Sequence, residues 1–343
     1  MGVVAIGAVA LVASVAACSS GSSAPTATVN GKSVTTVTME NNPGSTISDI
    51  GYIASKMGFF ADHGLNVKFV SVPSATLTSS LLSGSVDVAT LDLNNAGPPL
   101  ADGEQLEMIL GEQTNYWSFI VPKKDAGMTV PQILNSIQTV GAPSIGGSGE
   151  AFLKLLLSSY GLSPTKVRVI ADPDGAAFIA GKVDASMGFP MPECVEQDQG
   201  GVTAFSYLSP VKPASSYPAA LQKAIQIPEG GFWTSKSFVS GNPATVKELQ
   251  AALTQTISWV TDKANQAKVD QVLRNSPQNE PSLSTAQFNA CINSVLPIFE
   301  PYFSSADAAS WSTFLKNEGV APNGLPATSQ WLDPNVPSGP AAS

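Results

Sequence analysis

The sequence predicts an α/β protein built from two domains. From Lys32 onward, short runs of β-type composition alternate with helical stretches, which is the pattern of mostly parallel sheets covered by helices. The chain has 343 residues, more than the roughly 250 at which a single core usually stops growing. With 43% hydrophobic and 13% charged residues it has a globular composition, so two cores can be filled.

The elements of the first two thirds of the chain follow from hydrophobic spacing. The first predicted helix, 48–57, carries Ile50, Ile53 and Met57 at spacings of three and four, so one of its faces is apolar. Short runs that are rich in Val, Ile, Thr and Phe and end in polar loops are predicted strands. In order, the predictions are strand 34–39, helix 48–57, strand 66–72, helix 77–82, strands 86–91, 106–110 and 117–121, helices 130–138 and 150–160, strand 166–170, helix 175–180, and strands 185–188 and 230–234.

The last third of the chain is predicted to be helical. A long helix begins at Asn242-Pro243, since proline suits the first helical position. Ser284 and Gln287 have the spacing of a capping box and predict the start of another helix.

The N-terminal segment predicts export. Residues 1–17 are apolar and uncharged and are shorter than the ~20 residues that span a bilayer, so they indicate a signal peptide. Val15-Ala16-Ala17-Cys18 resembles the lipobox of bacterial lipoproteins. That resemblance implies that Cys18 is acylated and that residues 18–33 form a lipidated tether on the extracytoplasmic face of the cell membrane. The alternative is that Cys18 is a chance cysteine in an ordinary secretory signal.

Charge and metal-ligand content exclude several classes of protein. The chain has 17 Lys and Arg against 26 Asp and Glu, a net charge of −9, and no basic tract, which argues against binding of nucleic acid or of an anionic membrane surface. A single histidine and three cysteines do not readily form a zinc or redox centre. We therefore expect no cofactor and no metal. We also expect a monomer.

Five segments resemble a known family when taken in order. They are 51–67 (GYIASKMGFFADHGLNV), 81–89 (LLSGSVDVA), 146–153 (GGSGEAFL), 181–185 (GKVDA) and 241–243 (GNP). In this order they resemble the extracytoplasmic solute-binding proteins of ABC importers, of the nitrate, sulfonate, taurine and thiamine-precursor type. The resemblance extends over roughly residues 34–319.

The resemblance implies a fold and a mode of action. The fold is the two-domain type II periplasmic-binding-protein fold, with two crossover strands and extra C-terminal helices. Domain one would comprise 34–121 plus 232–335 and enclose domain two, 122–231. The protein would capture a small solute in the cleft by hinge closure, deliver it to an ABC permease in the membrane, and not act as an enzyme.

Loops that follow predicted strands supply the candidate site, because ligands in open α/β sheets bind outside the carboxyl ends of strands. These loops are rich in amides, which donate and accept hydrogen bonds, and in aromatic rings that can cover a solute. For each residue, a turn-forming or core role is the alternative. The candidate ligand-binding residues are Asn41, Asn42, Asp92, Asn94, Asn95, Asn115, Trp117, Gly147, Ser148, Gly149, Phe189 and Glu193.

The glycine-rich loop 144–149 is the sharpest of these features. Its glycines let backbone N–H groups approach a ligand at the start of a helix, where the helix dipole favours negative charge. The alternative is a connecting turn in which Ser148 is the N-cap.

The charge of these loops bears on the solute. They contain no Lys or Arg, whereas acidic residues such as Asp92, Glu112 and Glu193 lie in or beside them. We therefore expect a neutral, zwitterionic or nitrogen-bearing solute, such as a thiamine pyrimidine precursor or a taurine-like aminosulfonate.

Two other functions remain open on sequence grounds. An enzyme on the same fold, such as a chorismate-dehydratase-like lyase, needs only a carboxylate and polar contacts. A sensor or adhesion lipoprotein without a transport partner has no distinguishing motif. Cys194 and Cys291 fall in different domains of the family layout, where a bond would impede domain motion, so we expect free thiols.

Overall fold

A computed structural model describes residues 25–29, 32–41, 49–225, 227–276 and 280–339 of the chain. These residues form eleven β-strands and fourteen α-helices. The strands are β1 (Thr26–Val29), β2 (Lys32–Glu40), β3 (Leu65–Val70), β4 (Ala89–Asp92), β5 (Leu106–Thr114), β6 (Ser118–Pro122), β7 (Thr139–Ala142), β8 (Arg168–Ala171), β9 (Ala185–Gly188), β10 (Gly201–Ser206) and β11 (Pro228–Ser235). The helices are α1 (Asp49–Met57), α2 (Phe59–Asp62), α3 (Ser74–Ser83), α4 (Leu93–Ala101), α5 (Val130–Ser136), α6 (Ser148–Ser159), α7 (Ala176–Ile179), α8 (Pro190–Asp198), α9 (Ala219–Ala224), α10 (Lys236–Gly241), α11 (Pro243–Thr261), α12 (Gln266–Arg274), α13 (Thr285–Val295) and α14 (Ser305–Asn317).

The strands form three sheets with the orders β1-β2-β3, β4-β11-β5 and β10-β6-β9-β7-β8. We call the first two sheets, with α1 to α4 and α10 to α14, lobe one, and the five-stranded sheet, with α5 to α9, lobe two. A bridge between Met39 and Val88 links the two sheets of lobe one. The predicted boundaries 34–121, 122–231 and 232–335 remain a prediction; in the sheets, β6 pairs within lobe two and β11 within lobe one.

The expectation of mostly parallel strands is wrong for the described sheets. Of their eight strand pairs, three are parallel, namely β2 with β3, β7 with β8 and β7 with β9. The other five involve β1 or the strands by which the chain enters and leaves lobe two. A strand that crosses between the lobes is antiparallel to its neighbours, because it is not joined to them by the right-handed βαβ connection that makes strands parallel.

The helical predictions of the C-terminal region are confirmed. The long helix α11 begins at Pro243, with proline in its first turn. Ser284 and Gln287 form the capping box of α13, in which the Gln287 N–H donates to the Ser284 hydroxyl over 3.3 Å and the Ser284 N–H donates to the Gln287 side chain over 2.9 Å. Local hydrogen bonding decides these helix ends, which is why sequence alone suffices.

The predicted tether, 18–33, needs correction in its second half. Residues Thr26–Val29 form β1, which pairs antiparallel with β2, and β2 itself begins at Lys32. The small and polar composition of 19–28 predicted an unfolded segment. Pairing with the edge of β2 supplies the backbone hydrogen bonds that composition does not reveal. Residues 1–24, including the predicted signal peptide and Cys18, lie outside the described residues.

The expectation of free thiols is also wrong, because Cys194 and Cys291 form a disulfide with their Cα atoms 6.0 Å apart. The bond joins α8 to α13, which pack against each other, and the Gln287 amide of α13 also donates to the Asp198 carboxylate of α8. The family layout gave no hint that these two helices are neighbours.

A cluster of tryptophans supports the strand that returns from lobe two. Trp233 of β11 stacks on Trp311 and Trp331, with ring centroids 6.1 and 5.7 Å away, and all three are buried. The Trp311 Nε1–H donates to the carbonyl of Pro228 over 2.7 Å, at the start of β11. These contacts hold the first residues of β11 in place, and those residues contribute to the candidate site. Within the described residues, no helix has the length and apolar character that a membrane span requires.

Candidate functional site

The first part of the site is the junction of β4 and α4, where Asp92 is the N-cap. Its carboxylate accepts hydrogen bonds from the backbone N–H of Asn95 over 2.7 Å and from the Asn95 amide over 3.0 Å. Burial raises the pKa of Asp92, and the hydrogen bonds from Asn95 oppose that rise. The predicted residue Asn94 is buried beside it, and its Oδ1 has no hydrogen-bond partner in the described part of the chain.

The second part is the connection from β5 to β6, which carries the chain into lobe two. Asn115 holds this connection, since its amide donates to the carbonyl of Ala224 over 3.0 Å and accepts from the N–H of Trp117 over 3.2 Å. The side chain of Asn115 is therefore occupied by the protein itself. The rings of Tyr116 and Trp117 lie 5.3 Å apart and are both buried.

The third part is the start of α6, where the glycine-rich loop ends. The N-cap is Gly147 and not Ser148, so the turn with Ser148 as N-cap is not formed. A Cβ at Gly149 would lie 2.8 Å from the Trp117 ring, which shows how closely the helix start packs on that indole. Ser148 is buried and lies close enough to Asp92 and Glu229 to lower the pKa of each, although its Oγ makes no hydrogen bond of normal geometry with any described residue.

The fourth part is Glu229 of β11, which sequence analysis missed. Its side chain is completely buried, and its Oε1 accepts a hydrogen bond from the Trp117 Nε1–H over 2.8 Å. Burial raises the pKa of Glu229 well above its ordinary value, and the charge of Asp92 raises it further. One signal was available in the sequence: an acidic residue directly precedes Gly230-Gly231 at the start of a predicted buried strand.

The resulting cluster is acidic. Burial and the charges of Glu229, Asp92 and Glu112 together raise the pKa of Tyr116 well above its ordinary value. Neither Asp92 nor Glu229 forms a salt bridge with a Lys or Arg of the described ranges. We call Asp92, Tyr116, Trp117, Ser148 and Glu229 the acidic cluster.

Phe189 joins this cluster through Trp117. It is the N-cap residue of α8, and its ring meets the Trp117 ring edge-on, with centroids 6.2 Å apart. The structure thus brings together Asp92, Trp117, Ser148, Gly149 and Phe189, with Asn94 and Asn95 beside Asp92.

Glu193 and Asn41 have other partners in the structure. Glu193 accepts hydrogen bonds within lobe two, from the Thr203 hydroxyl over 2.8 Å and from the Gln197 amide over 3.0 Å, and burial raises its pKa. Asn41 lies buried at the end of β2, where its N–H donates to the carbonyl of Val70 over 2.9 Å. Asn42 lies outside the described residues.

The elements that meet here define the class of protein. Two α/β lobes are joined by crossover strands, and polar and aromatic groups from both lobes are buried between them. Residues 48–267 match the family model described as NMT1/THI5 like, which is well over half of the chain. The chain belongs to this NMT1/THI5-like family.

Solved structures show the same fold. The alkanesulfonate-binding protein SsuA of Xanthomonas axonopodis pv. citri, bound to MOPS, is 16% identical with a TM-score of 0.67, covering 87% of this chain and 98% of its own. The periplasmic aliphatic sulphonate binding protein SsuA of Escherichia coli is 15% identical with a TM-score of 0.66, covering 88% and 98%. The periplasmic nitrate-binding protein NrtA of Synechocystis PCC 6803 is 18% identical with a TM-score of 0.57, covering 74% and 69%.

No curated protein sequence matches the chain significantly. The family model and the solved structures confirm the predicted resemblance and the periplasmic-binding-protein fold. At these identities the structural likeness concerns the fold alone, so the solute has to be inferred from this chain's own residues.

Proposed function

We propose that this protein is the solute receptor of an ABC importer, held by lipid on the outer face of the cell membrane. The observation that carries the proposal is that groups from both lobes converge on one buried polar cluster. Asp92 and Glu229 come from lobe one, Ser148 comes from lobe two, and Trp117 lies on the connection between the lobes. Membership of the NMT1/THI5-like family supports the same role.

Capture works by closure of the two lobes on the solute. A solute that touches both lobes stabilises the closed form, because only that form offers all of its contacts at once. The closed form then docks on the permease. No covalent bond is made or broken, and the protein contributes hydrogen-bond partners, aromatic surface and exclusion of water.

The solute is small, polar and nitrogen-bearing, as in a thiamine pyrimidine precursor or a taurine-like compound. Buried acceptors in the acidic cluster suit N–H donors of a solute. The backbone N–H groups at the start of α6 add donors for a neutral or partly negative atom of the same solute.

Scattering and thermal unfolding measured on one solute panel test the proposal. A bound solute should raise the melting temperature and reduce the radius of gyration of the protein. The matched variant is Ser148→Ala, which removes one hydroxyl from the lobe-two side and should weaken both responses. Turnover of a panel member, with no change in radius of gyration, would support a lyase on this fold and contradict a receptor.

The lipid anchor has its own test. In a Cys18→Ser variant, membrane fractionation should find the protein released, and intact mass should show no acyl chains. Wild-type protein that carries residues 1–17 and no lipid would contradict the anchor without affecting the solute-binding proposal.

A further inference from the structure

One carboxyl oxygen of Glu229 forms no hydrogen bond of normal geometry with a described residue, although the Ser148 hydroxyl lies close enough to lower the pKa of Glu229. Its Oε1 accepts the Trp117 indole N–H over 2.8 Å, whereas its Oε2 has less than 1 Å² of exposed area and no hydrogen-bond partner among the described residues. Burying a carboxyl oxygen without a hydrogen-bond donor destabilises the folded protein. Such an atom in a native structure points to a missing donor, and the cluster between the lobes is where the solute is proposed to bind.

Two other polar groups in or beside this cluster, one hydroxyl and one amide oxygen, also form no hydrogen bond of normal geometry. The Oγ of Ser148 and the Oδ1 of Asn94 are also buried without a partner in the described chain. Asp92 adds a second carboxyl, whose charge acts on Glu229. A group that satisfies this arrangement has to bring several N–H donors to a small space.

The charge expected on the bound group of the solute follows from the residues that surround these carboxyls. Asp92, Glu112 and Tyr116 are the titratable groups that act on one another around Glu229, and none of them is basic. Neither Asp92 nor Glu229 has a Lys or Arg salt-bridge partner within the described ranges. A bound cation favours the ionised form of these carboxyls, whereas a bound anion disfavours it and has no basic partner here.

Aromatic rings complete a site for an organic cation. Trp117 lies between Tyr116 and Phe189, with centroid distances of 5.3 and 6.2 Å. Ring faces attract cations, and this attraction is larger where water is excluded.

We propose that the solute presents a primary ammonium, amidinium or guanidinium group to Glu229 and Asp92, so that the receptor serves an importer of organic cations. This inference rests on the proposed receptor function and specifies which group of the solute is recognised. It assigns Glu229 as the residue that determines specificity, with Trp117 holding one of its oxygens.

A proton balance accompanies such binding. Burial and the charge of Asp92 raise the pKa of Glu229 well above its ordinary value, so the ionised carboxylate is disfavoured as long as no cation is bound. A bound cation favours the ionised carboxylate, so any proton that the carboxyl holds is released to solvent on binding. Calorimetry in buffers of different ionisation enthalpy measures this released proton directly.

Two matched pairs of probes provide the test: benzamidine with benzamide, and taurine with isethionate. In each pair the first compound carries a cationic nitrogen group that the second lacks. We expect the member of each pair that carries the cationic nitrogen group to bind about tenfold more tightly or better, and to release protons on binding. In Glu229→Gln, which keeps an oxygen for Trp117, we expect the preference and the proton release to be lost.

The control variant is Glu107→Gln, which removes the same charge from β5 outside the acidic cluster and should bind like wild type. If benzamide or isethionate closes the lobes as well as its partner does, the cation proposal is overturned while the receptor function stands. If none of the four probes, nor any other solute of the panel, changes the scattering curve or the melting temperature, both proposals fail.

Discussion

Cys194 of α8 and Cys291 of α13 are joined by a disulfide that links lobe two to the C-terminal helices of lobe one. The same α8 begins at Phe189, which packs on Trp117 in the acidic cluster. Lobe two is therefore attached to lobe one at three places: the two crossover connections and this bond. A covalent link restricts the directions in which the lobes can separate.

Removing the disulfide should widen the motion and weaken the fold. The bond closes a loop between cysteines 97 positions apart, for which the chain-entropy model gives about 4–5 kcal/mol of stabilisation. In Cys194→Ser with Cys291→Ser, we expect a lower melting temperature and a larger radius of gyration without solute. Calorimetry and small-angle scattering measure the two effects.

Reductant provides the control for this prediction. It should change the wild-type protein in the same direction as the double substitution and leave the double variant unchanged. An unchanged radius of gyration in reduced wild type and in the double variant would show that the bond does not limit opening.

Glu196 should make stability depend on pH. It is a buried residue of α8, and both of its carboxyl oxygens lack a hydrogen-bond partner of normal geometry within the described residues. Burial, together with the charges of Asp172 and Glu193, raises the pKa of Glu196 from 4.5 to about 8, against a lowering contribution from Ser186. Because the folded pKa is above the unfolded one, the stabilisation is complete below pH 4.5 and is lost as pH rises to about 8.

The Glu196→Gln variant isolates this contribution. Between pH 5 and 8 the unfolding free energy of wild type should fall more steeply than that of the variant, by at most about 1.4 kcal/mol per pH unit, the limit for one proton. Urea unfolding across this range measures both slopes. The exposed Glu104→Gln should keep the wild-type slope, and equal slopes in wild type and Glu196→Gln would refute the assignment.

Gly111 should not tolerate a side chain. A Cβ at this position of β5 would overlap the backbone carbonyl of Tyr302, and the same segment is held to β5 by the Glu300 N–H, which donates to the carbonyl of Glu112 over 2.9 Å. Because the obstacle is backbone, Gly111→Ala should cost about 3 kcal/mol or more of unfolding free energy.

Gly127 provides the matched control for Gly111. A Cβ there would have no neighbour within 4 Å, so Gly127→Ala should change stability by no more than about 0.5 kcal/mol. Chemical denaturation of the two variants side by side decides the point. Equal stabilities would mean that the segment around Tyr302 moves away from β5 at little cost.

Local sequence predicted which loops contribute to the candidate site, whereas contacts between distant strands could not be predicted from it. Asp92 and Ser148 were proposed because loops after strands, and glycines before helices, have characteristic patterns, and the structure places the two residues near each other. Glu229 was missed because its importance depends on Trp117, more than one hundred positions away in the chain. The expectation that Cys194 and Cys291 are free thiols was wrong for the same reason, since their pairing depends on how α8 packs on α13.

The Trp117 ring contacts both lobes, because it packs on Gly149 of lobe two and donates to Glu229 of lobe one. A Cβ at Gly149 would lie 2.8 Å from the six-membered ring of Trp117, so Gly149→Ala should displace the indole and lengthen its bond to Glu229. Alanine in place of glycine usually stabilises a helix, by up to about 1 kcal/mol. A lower melting temperature in Gly149→Ala would therefore report the displaced ring.

A second substitution, at Trp117, shows whether a loss of stability in Gly149→Ala comes from the displaced indole. Trp117→Phe replaces the indole by a smaller ring, so in the double variant the contact with Ala at position 149 is relieved and the two effects on stability should be non-additive. The double variant should bind solute more weakly than wild type, because phenylalanine has no N–H to donate to Glu229. Additive losses would mean that Gly149 and Trp117 act independently, and the site would then need a different account of how α6 is held against the crossover.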